Sequence, residues 1–362
     1  MDDFAFIIHP IKTEDFAKKF PVVQKLPKPI LERLSSIVPP FKVSDITGVK
    51  SPHNEVKGSF VACPLSSNQI FRLPEEFVLN KIIKAGRLAE KRGAKIVGLG
   101  ALTAVVGDGG ITVSRNLDIP VTTGNSYTVA SAIEGVKKAS DHMGYDYKNA
   151  RICIVGGGGS IGAVTAEYLA REARFLTIVG REEKRLNNVA QKILNKTGLA
   201  VGISKDVKNA VSGADIIITV TGSVESVIDG SELKPGAIVC DVARPRDVSW
   251  RVANLREDVL VIEGGVVEVP GDVDFNFNFG FPEGTAYACM AETMILALEG
   301  KYESFTLGRD LTIEQIDEMN HLANKHGFGL AGFRSFERAL SNDEIENIKK
   351  NAEKERMKLK EA

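Results

Sequence analysis

The chain is poor in the residues that staple small scaffolds or hold metals. Its 362 residues include four cysteines and five histidines. Cys63, Cys153, Cys240 and Cys289 stand far apart with no Cys-x-x-Cys pair. That spacing excludes a disulfide framework and a cysteine-type zinc site, and it suits a reducing compartment. Charge of one sign is also lacking. A net charge of −1 leaves no global field of the kind that draws a protein to nucleic acid. No apolar run reaches the ~20 residues that a membrane-spanning helix needs. The start, Met1-Asp2-Asp3-Phe4, is acidic and precedes only a short apolar run, so no secretory leader is expected. These absences describe a cytoplasmic protein with no metal, no nucleic-acid partner and no membrane span. A homo-oligomer is compatible with them.

What is present is ordinary globular material. A hydrophobic share of 43% supplies a sizeable core, and the length favours two domains. From Lys148 to about Ile262 short β-branched runs alternate with helical segments. Strands are expected at Ile152–Val155, Phe175–Val179, Leu199–Ser204, Ile216–Val220, Ala237–Asp241 and Val259–Ile262. Helices are expected at Ile161–Ala173, Glu182–Leu194 and Val207–Ser212. This alternation is the signature of an α/β fold with a doubly wound parallel sheet of the Rossmann type. The start is different. Pro10, Pro21, Pro27, Pro29, Pro39 and Pro40 break it up, and Ser59–Cys63, a helix over 74–92 and Lys95–Leu99 read as a second α/β unit. The expected division is an N-terminal α/β substrate domain, 1–130, completed by C-terminal helices in 285–362, and a Rossmann domain, 131–284. The highly charged stretch from Asn342 onward reads as a solvated or fraying helix.

The first Rossmann strand runs into Gly156-Gly157-Gly158-Gly159-Ser160-Ile161-Gly162. Gly157, Gly159 and Gly162 satisfy G-x-G-x-x-G in the strand–turn–helix setting that gives the motif meaning. One glycine makes the turn, one admits a pyrophosphate to the backbone, and one lets helix and strand pack closely. The helix N-terminus then offers N–H groups and a positive dipole end to the phosphates. The second strand ends in Gly180-Arg181-Glu182-Glu183-Lys184-Arg185. An acid here would bind the ribose 2′-hydroxyl of NADH, whereas a basic residue accommodates the 2′-phosphate of NADPH. Arg181, supported by Lys184 or Arg185, points to NADPH; Glu182, one residue on, is the competing choice. Thr221, past the fourth strand, and Gly264 and Gly265, past the sixth, complete the cofactor-binding set.

Cys289 lies in Phe281-Pro282-Glu283-Gly284-Thr285-Ala286-Tyr287-Ala288-Cys289-Met290-Ala291-Glu292. Pro-Glu-Gly-Thr reads as a helix entry with Thr285 as N-cap, which puts Cys289 in the first turn or so. The dipole there favours a thiolate. A thiolate can take an acyl group from a thioester, and hydride delivery to the acyl-enzyme releases an aldehyde. On spacing alone, a small cysteine on an alanine-rich helix is more often a plain buried residue.

Several segments together are more specific. They are Ser44-Asp45-Ile46-Thr47-Gly48, Thr122-Thr123-Gly124-Asn125-Ser126-Tyr127-Thr128, the glycine loop, Glu263-Gly264-Gly265-Val266-Val267-Glu268, the Cys289 segment with its Ala-Glu-Thr-Met, Phe305-Thr306-Leu307-Gly308-Arg309 and Lys325-His326-Gly327-Phe328. On these the chain resembles, over almost its whole length, the cyanobacterial long-chain acyl-[acyl-carrier-protein] reductases. The resemblance implies an NADPH-dependent reductase that converts an acyl thioester, on acyl carrier protein or CoA, to an aldehyde. It places the family's nucleophile on Cys289. Tyr127 stands where the family has histidine, and the phosphate loop carries glycines where the family has G-A-T-G-D-I-G, so this reads as a divergent member. Looser resemblances run to glutamyl-tRNA reductase, whose cysteine setting Cys63 lacks, and to shikimate dehydrogenase, whose Lys–Asp pair has no counterpart here.

The proton that the leaving thiol needs has two candidate donors, Tyr127 and His326. The helix after Pro74 carries Lys81, Lys84, Arg87, Lys91 and Arg92, a stripe suited to an acidic carrier protein. The rivals are a shikimate-type NADP-dependent dehydrogenase of a small hydroxy or keto acid and a non-catalytic NADP(H)-binding protein.

Overall fold

A computed structural model describes residues 1–12, 15, 26–223, 226–243, 246–278, 280–336 and 338–361; Pro21 lies outside them. The chain forms two units. One comprises Met1–Tyr127, Val267–Asp310 and Glu318–Gly329; the other comprises Thr128–Val266, Leu311–Asp317 and Leu330–Ala362. The expected boundaries at 130/131 and 284/285 differ from this division, most clearly at the C-terminal end.

The first unit is built on a mixed sheet of β1 (Phe4–Ile8), β2 (Phe41–Lys50), β3 (Glu55–Ala62), β4 (Val97–Leu99) and β5 (Val121–Thr122), in the order β2-β3-β1-β4-β5. β1, β3, β4 and β5 run parallel, and β2 joins β3 as an antiparallel hairpin. Parallel strands covered on both faces need continuous apolar sequence, and Phe4 to Ile7 are buried without a break. The helix Ala288–Glu299 packs onto this sheet where glycine allows it. A β-carbon on Gly98 of β4 would lie 2.0 Å from the Thr293 hydroxyl, and one on Gly100 would meet the Phe6 ring at 2.6 Å. Gly98 therefore serves helix–sheet packing, and Gly100 leaves room for the Phe6 ring of β1.

The second unit holds six parallel strands: β6 (Arg151–Val155), β7 (Phe175–Val179), β8 (Gly202–Ser204), β9 (Ile216–Thr219), β10 (Ile238–Asp241) and β11 (Leu260–Glu263). Their order, β11-β10-β9-β6-β7-β8, is that of a doubly wound dinucleotide fold, with the reversal point beside β6. β8 is shorter than its sequence pattern predicts. It is the edge strand and pairs only with Thr177–Val179, and Gly198 before it takes a left-handed conformation that ends the preceding helix. The C-terminal helix, Asn342–Glu361, is docked on this unit, in contrast to the expected fraying end. Its entry is held by a reciprocal cap: the Glu344 N–H donates to Ser341 Oγ at 3.2 Å, and the Ser341 N–H donates to Glu344 Oε2 at 2.8 Å. Ile345 and Ala352 are buried, and Arg356 Nε donates to the Pro235 carbonyl at 3.0 Å. Among the described residues no helix is long and apolar enough to cross a membrane.

Candidate functional site

In the second unit the glycine loop closes the β6–helix connection. The N–H groups of Gly156 and Gly157 donate to the Val179 carbonyl at 2.8 and 2.9 Å, tying the turn to β7. Gly156 adopts φ +94°, and its missing side chain would meet the Val220 carbonyl at 2.9 Å. A β-carbon on Gly157 would lie 2.7 Å from Ile178 Cβ, and one on Gly162 would lie 2.3 Å from the Gly156 carbonyl oxygen. Those two positions need glycine for the fold itself. Gly159 is different: it is exposed, and its nearest neighbour would be the Gly156 carbonyl at 3.3 Å. Gly158, Ser160 and Ile161 are partly open around it. Gly159 is the N-cap of the helix Ser160–Leu169, so backbone N–H groups of the first turn border this opening. A cradle of this kind fits a dinucleotide pyrophosphate.

The segment after β7 lies against the same loop, since a β-carbon on Gly158 would stand 3.5 Å from Arg185 Cβ. Glu182 is engaged by Arg185 at 2.8 Å, while Arg181 is exposed and has no ion-pair partner among the described residues. Thr221 has a settled role. Its N–H donates to Asp247 Oδ2 at 2.7 Å and its hydroxyl donates to the other oxygen, while Thr219 also donates to this fully buried carboxylate. Asp247 thus fixes the chain past β9. Gly264 is buried, and a β-carbon there would meet Val242 at 2.8 Å and Cys240 Sγ at 3.0 Å; Gly265 turns with φ +83°.

In the first unit the site forms where β5 ends. The helix Ala288–Glu299 starts two residues later than the sequence predicts. Thr285 belongs to a short strand, Thr285–Tyr287, and its hydroxyl donates to the Pro282 carbonyl at 2.8 Å, so Tyr287 and not Thr285 is the N-cap. Cys289 is consequently the second helical residue, still nearer the positive end of the dipole. Every residue from Ala288 to Leu298 is buried except Cys289. The turn Thr122-Thr123-Gly124 packs directly on it. Gly124 has φ +74°, and a β-carbon there would lie 2.3 Å from Cys289 Cα.

One turn along the helix from Cys289, Glu292 is fully buried. Its Oε1 accepts from the Thr122 hydroxyl at 2.5 Å and the Thr306 hydroxyl at 2.9 Å. Its Oε2 accepts from the Ser126 hydroxyl at 2.6 Å and the Tyr127 N–H at 2.9 Å. Thr306 holds φ +53°, a strained value for a β-branched residue, and its carbonyl accepts from the Thr123 hydroxyl at 2.6 Å. In the sequence Glu292 carries a single signal, its membership of the Ala-Glu-Thr-Met run.

Tyr127 is brought to this network. Its ring is buried edge-on against Phe328, 6.4 Å between centroids. His326 is not. It is buried, with Nε2 2.8 Å from Glu299 and Nδ1 3.1 Å from the Ser51 hydroxyl. Glu299 is the last residue of the helix on which Cys289 is second, which sets the two ends about 15 Å apart at 1.5 Å per residue. His326 therefore anchors the β2–β3 turn and does not serve Cys289. Burial pushes the Cys63 thiol up to about 11 and the Cys153 thiol up to about 12, and Cys240 is fully buried. Of the basic stripe, Lys84, Arg87 and Lys91 are exposed. Lys81 is not: it is buried, donates to the Val38 carbonyl at 2.8 Å, and has its pKa lowered by burial. Arg92 turns to Asp2 at 3.5 Å.

The sequence profile of the shikimate/quinate 5-dehydrogenases matches residues 137–263, the dinucleotide part alone. The chain is 26% identical to an aminotransferase, PigE, of a Serratia species over 96% of its own length, and spans only 42% of that protein. It is 27% identical to the long-chain acyl-[acyl-carrier-protein] reductase of Synechococcus elongatus, over 81% of this chain and 88% of that one. Among solved structures, quinate dehydrogenase from Corynebacterium glutamicum in complex with NAD aligns over 89% of this chain at 11% identity, with a TM-score of 0.38. The chain is thus related to NAD(P)-dependent oxidoreductases of the dehydrogenase and reductase type.

Proposed function

We propose that this protein is an NADPH-dependent reductase that converts an acyl thioester to an aldehyde through an acyl group on Cys289. The observation that carries the reading is the position of Cys289. It is the one residue from Ala288 to Leu298 that is not buried, at the end where the dipole stabilises a thiolate, with a glycine turn held against it. The Cys289 thiolate attacks the thioester carbonyl carbon, and the carrier's sulfur leaves with the electron pair of the broken C–S bond and takes a proton. Tyr127, beside the turn, is the remaining donor candidate of the two. Bound nicotinamide would supply the hydride. With hydride on the acyl carbon, the C–S bond to Cys289 breaks, the aldehyde departs and the thiolate is restored. Gly159 and the first turn of the following helix would hold the pyrophosphate, and Arg181 would receive the 2′-phosphate as a charged contact. The exposed Lys84, Arg87 and Lys91 form a docking face for an acidic carrier protein. The similarity to the Synechococcus acyl-[acyl-carrier-protein] reductase supports the substrate class.

Intact-protein mass spectrometry after mixing with acyl-CoA and acyl-carrier-protein thioesters tests the reading. A single acyl adduct, lost in Cys289→Ala, is expected, with aldehyde appearing on addition of NADPH. NADPH-dependent turnover of a small keto acid without any adduct would favour a shikimate-type dehydrogenase instead.

A further inference from the structure

We infer that Glu292 is the positioning residue of the Cys289 site, a role that rests on Cys289 being the acyl acceptor. Its carboxylate is acceptor-only and collects donors from three separate stretches: the end of β5 (Thr122), the start of the next helix (Ser126 and Tyr127) and the Phe305–Gly308 segment (Thr306). The Gly124 N–H closes the chain by donating to Thr122 Oγ1 at 3.4 Å, the same hydroxyl that donates to Glu292. Gly124 is the residue packed on Cys289. One buried carboxylate therefore ties both sides of the Gly124 turn to the helix that carries the nucleophile, three residues from it. The strained backbone of Thr306 is held in place by the same carboxylate, as expected where surrounding structure over-determines a functional loop. The simplest structural role, filling the core, would be met by an apolar side chain and would not require donors from both flanks of a turn.

The role makes a split prediction. Glu292 acts on how an acyl carbonyl sits against Cys289, so its loss should impair acyl transfer while leaving the thiol able to react with a small reagent. Glu292→Gln keeps the volume. Its amide carbonyl can take the fixed Tyr127 N–H, and the hydroxyls of Thr122 and Thr306 can rotate to accept from its amino group. Acylation of the full chain is followed by intact mass with acyl-CoA thioesters from acetyl to palmitoyl, alongside alkylation of Cys289 by iodoacetamide. The expected result is a fall in acylation of about tenfold or more, the loss of a charge-assisted bond. Alkylation stays within a few-fold of wild type, and NADPH binding is retained. Acylation at the wild-type rate overturns the inference. So does a parallel fall in acylation and alkylation, which marks a merely structural residue. If Glu292→Gln does not fold, Ser126→Ala removes a single donor and is judged by the same two rates. Absence of any adduct on wild type overturns the acyl-cysteine reading itself, and is separable from every outcome above.

Discussion

Gly124 and Cys289 are packed backbone to backbone: a β-carbon on Gly124 would stand 2.4 Å from Cys289 Cβ and 2.6 Å from the Cys289 carbonyl oxygen. The contact joins a turn that the chain reaches early to a helix that it makes late. Gly124→Ala meets two obstacles, the close approach and φ +74°. Overpacking alone costs about 1–3 kcal/mol. The variant is expected to melt several degrees lower and to lose the acyl adduct. Wild-type Tm with normal acylation would remove the turn from the site.

Cys289 is expected to be the one thiol that iodoacetamide labels at neutral pH. Burial holds the Cys63 and Cys153 thiols protonated, up to about 11 and about 12, and Cys240 is out of reach of solvent. Cys289→Ala should abolish label, adduct and aldehyde together, with NADPH binding intact. Cys289→Ser should be nearly as inactive, because a hydroxyl stays protonated where a thiol ionises. Peptide mapping of the labelled protein reads the site directly.

The glycine loop divides into positions that the fold needs and one, Gly159, that the proposed cofactor would need. Gly162→Ala would force a β-carbon to 2.3 Å from the Gly156 carbonyl and should fail to fold well. Gly159→Val meets a single neighbour, the Gly156 carbonyl at 3.3 Å, which a small shift relieves, so the variant should fold yet lose cofactor binding. Calorimetric titration of folded Gly159→Val with unchanged NADPH affinity would sink this assignment.

Arg181→Ala should weaken NADPH binding by about 1.5–3 kcal/mol, the worth of a charged hydrogen-bonded contact, and leave NADH binding nearly unchanged. Equal losses for both cofactors would transfer the choice to another residue.

His326→Ala is expected to lower stability by about 1–3 kcal/mol by leaving Ser51 and Glu299 without their buried partner, while acylation of the folded fraction persists. The Lys325 ammonium, and after it His326, hold the Glu299 carboxyl below its ordinary range. A carboxyl depressed on folding stabilises above its unfolded pKa, and that stability is lost as pH falls through the folded value. Glu299→Gln should therefore melt below wild type at neutral pH, with the gap closing as the solution is acidified. A gap that is constant with pH would exclude this pairing as its cause.

Local pattern was enough for most elements of the dinucleotide unit, the short β8 and the docked C-terminal helix apart. β7 spans Phe175–Val179 and the short helix spans Val207–Ser212, as their periodicity predicts, because buried parallel strands and their crossovers are written in contiguous residues. The same holds for placing Cys289 in a first helical turn. Tertiary structure decided the rest. Lys81 fits a basic stripe by spacing, yet folds inward because the Val38 carbonyl lies within its reach. His326 and Tyr127 are equal candidates in sequence, and only the length of one helix separates them. Glu292 was invisible as a hub, since its donors lie 14 to 170 residues away along the chain. Spacing along a chain encodes a helix face or a strand; which distant hydroxyls meet around one buried carboxylate is settled only when the sheet and its helix pack.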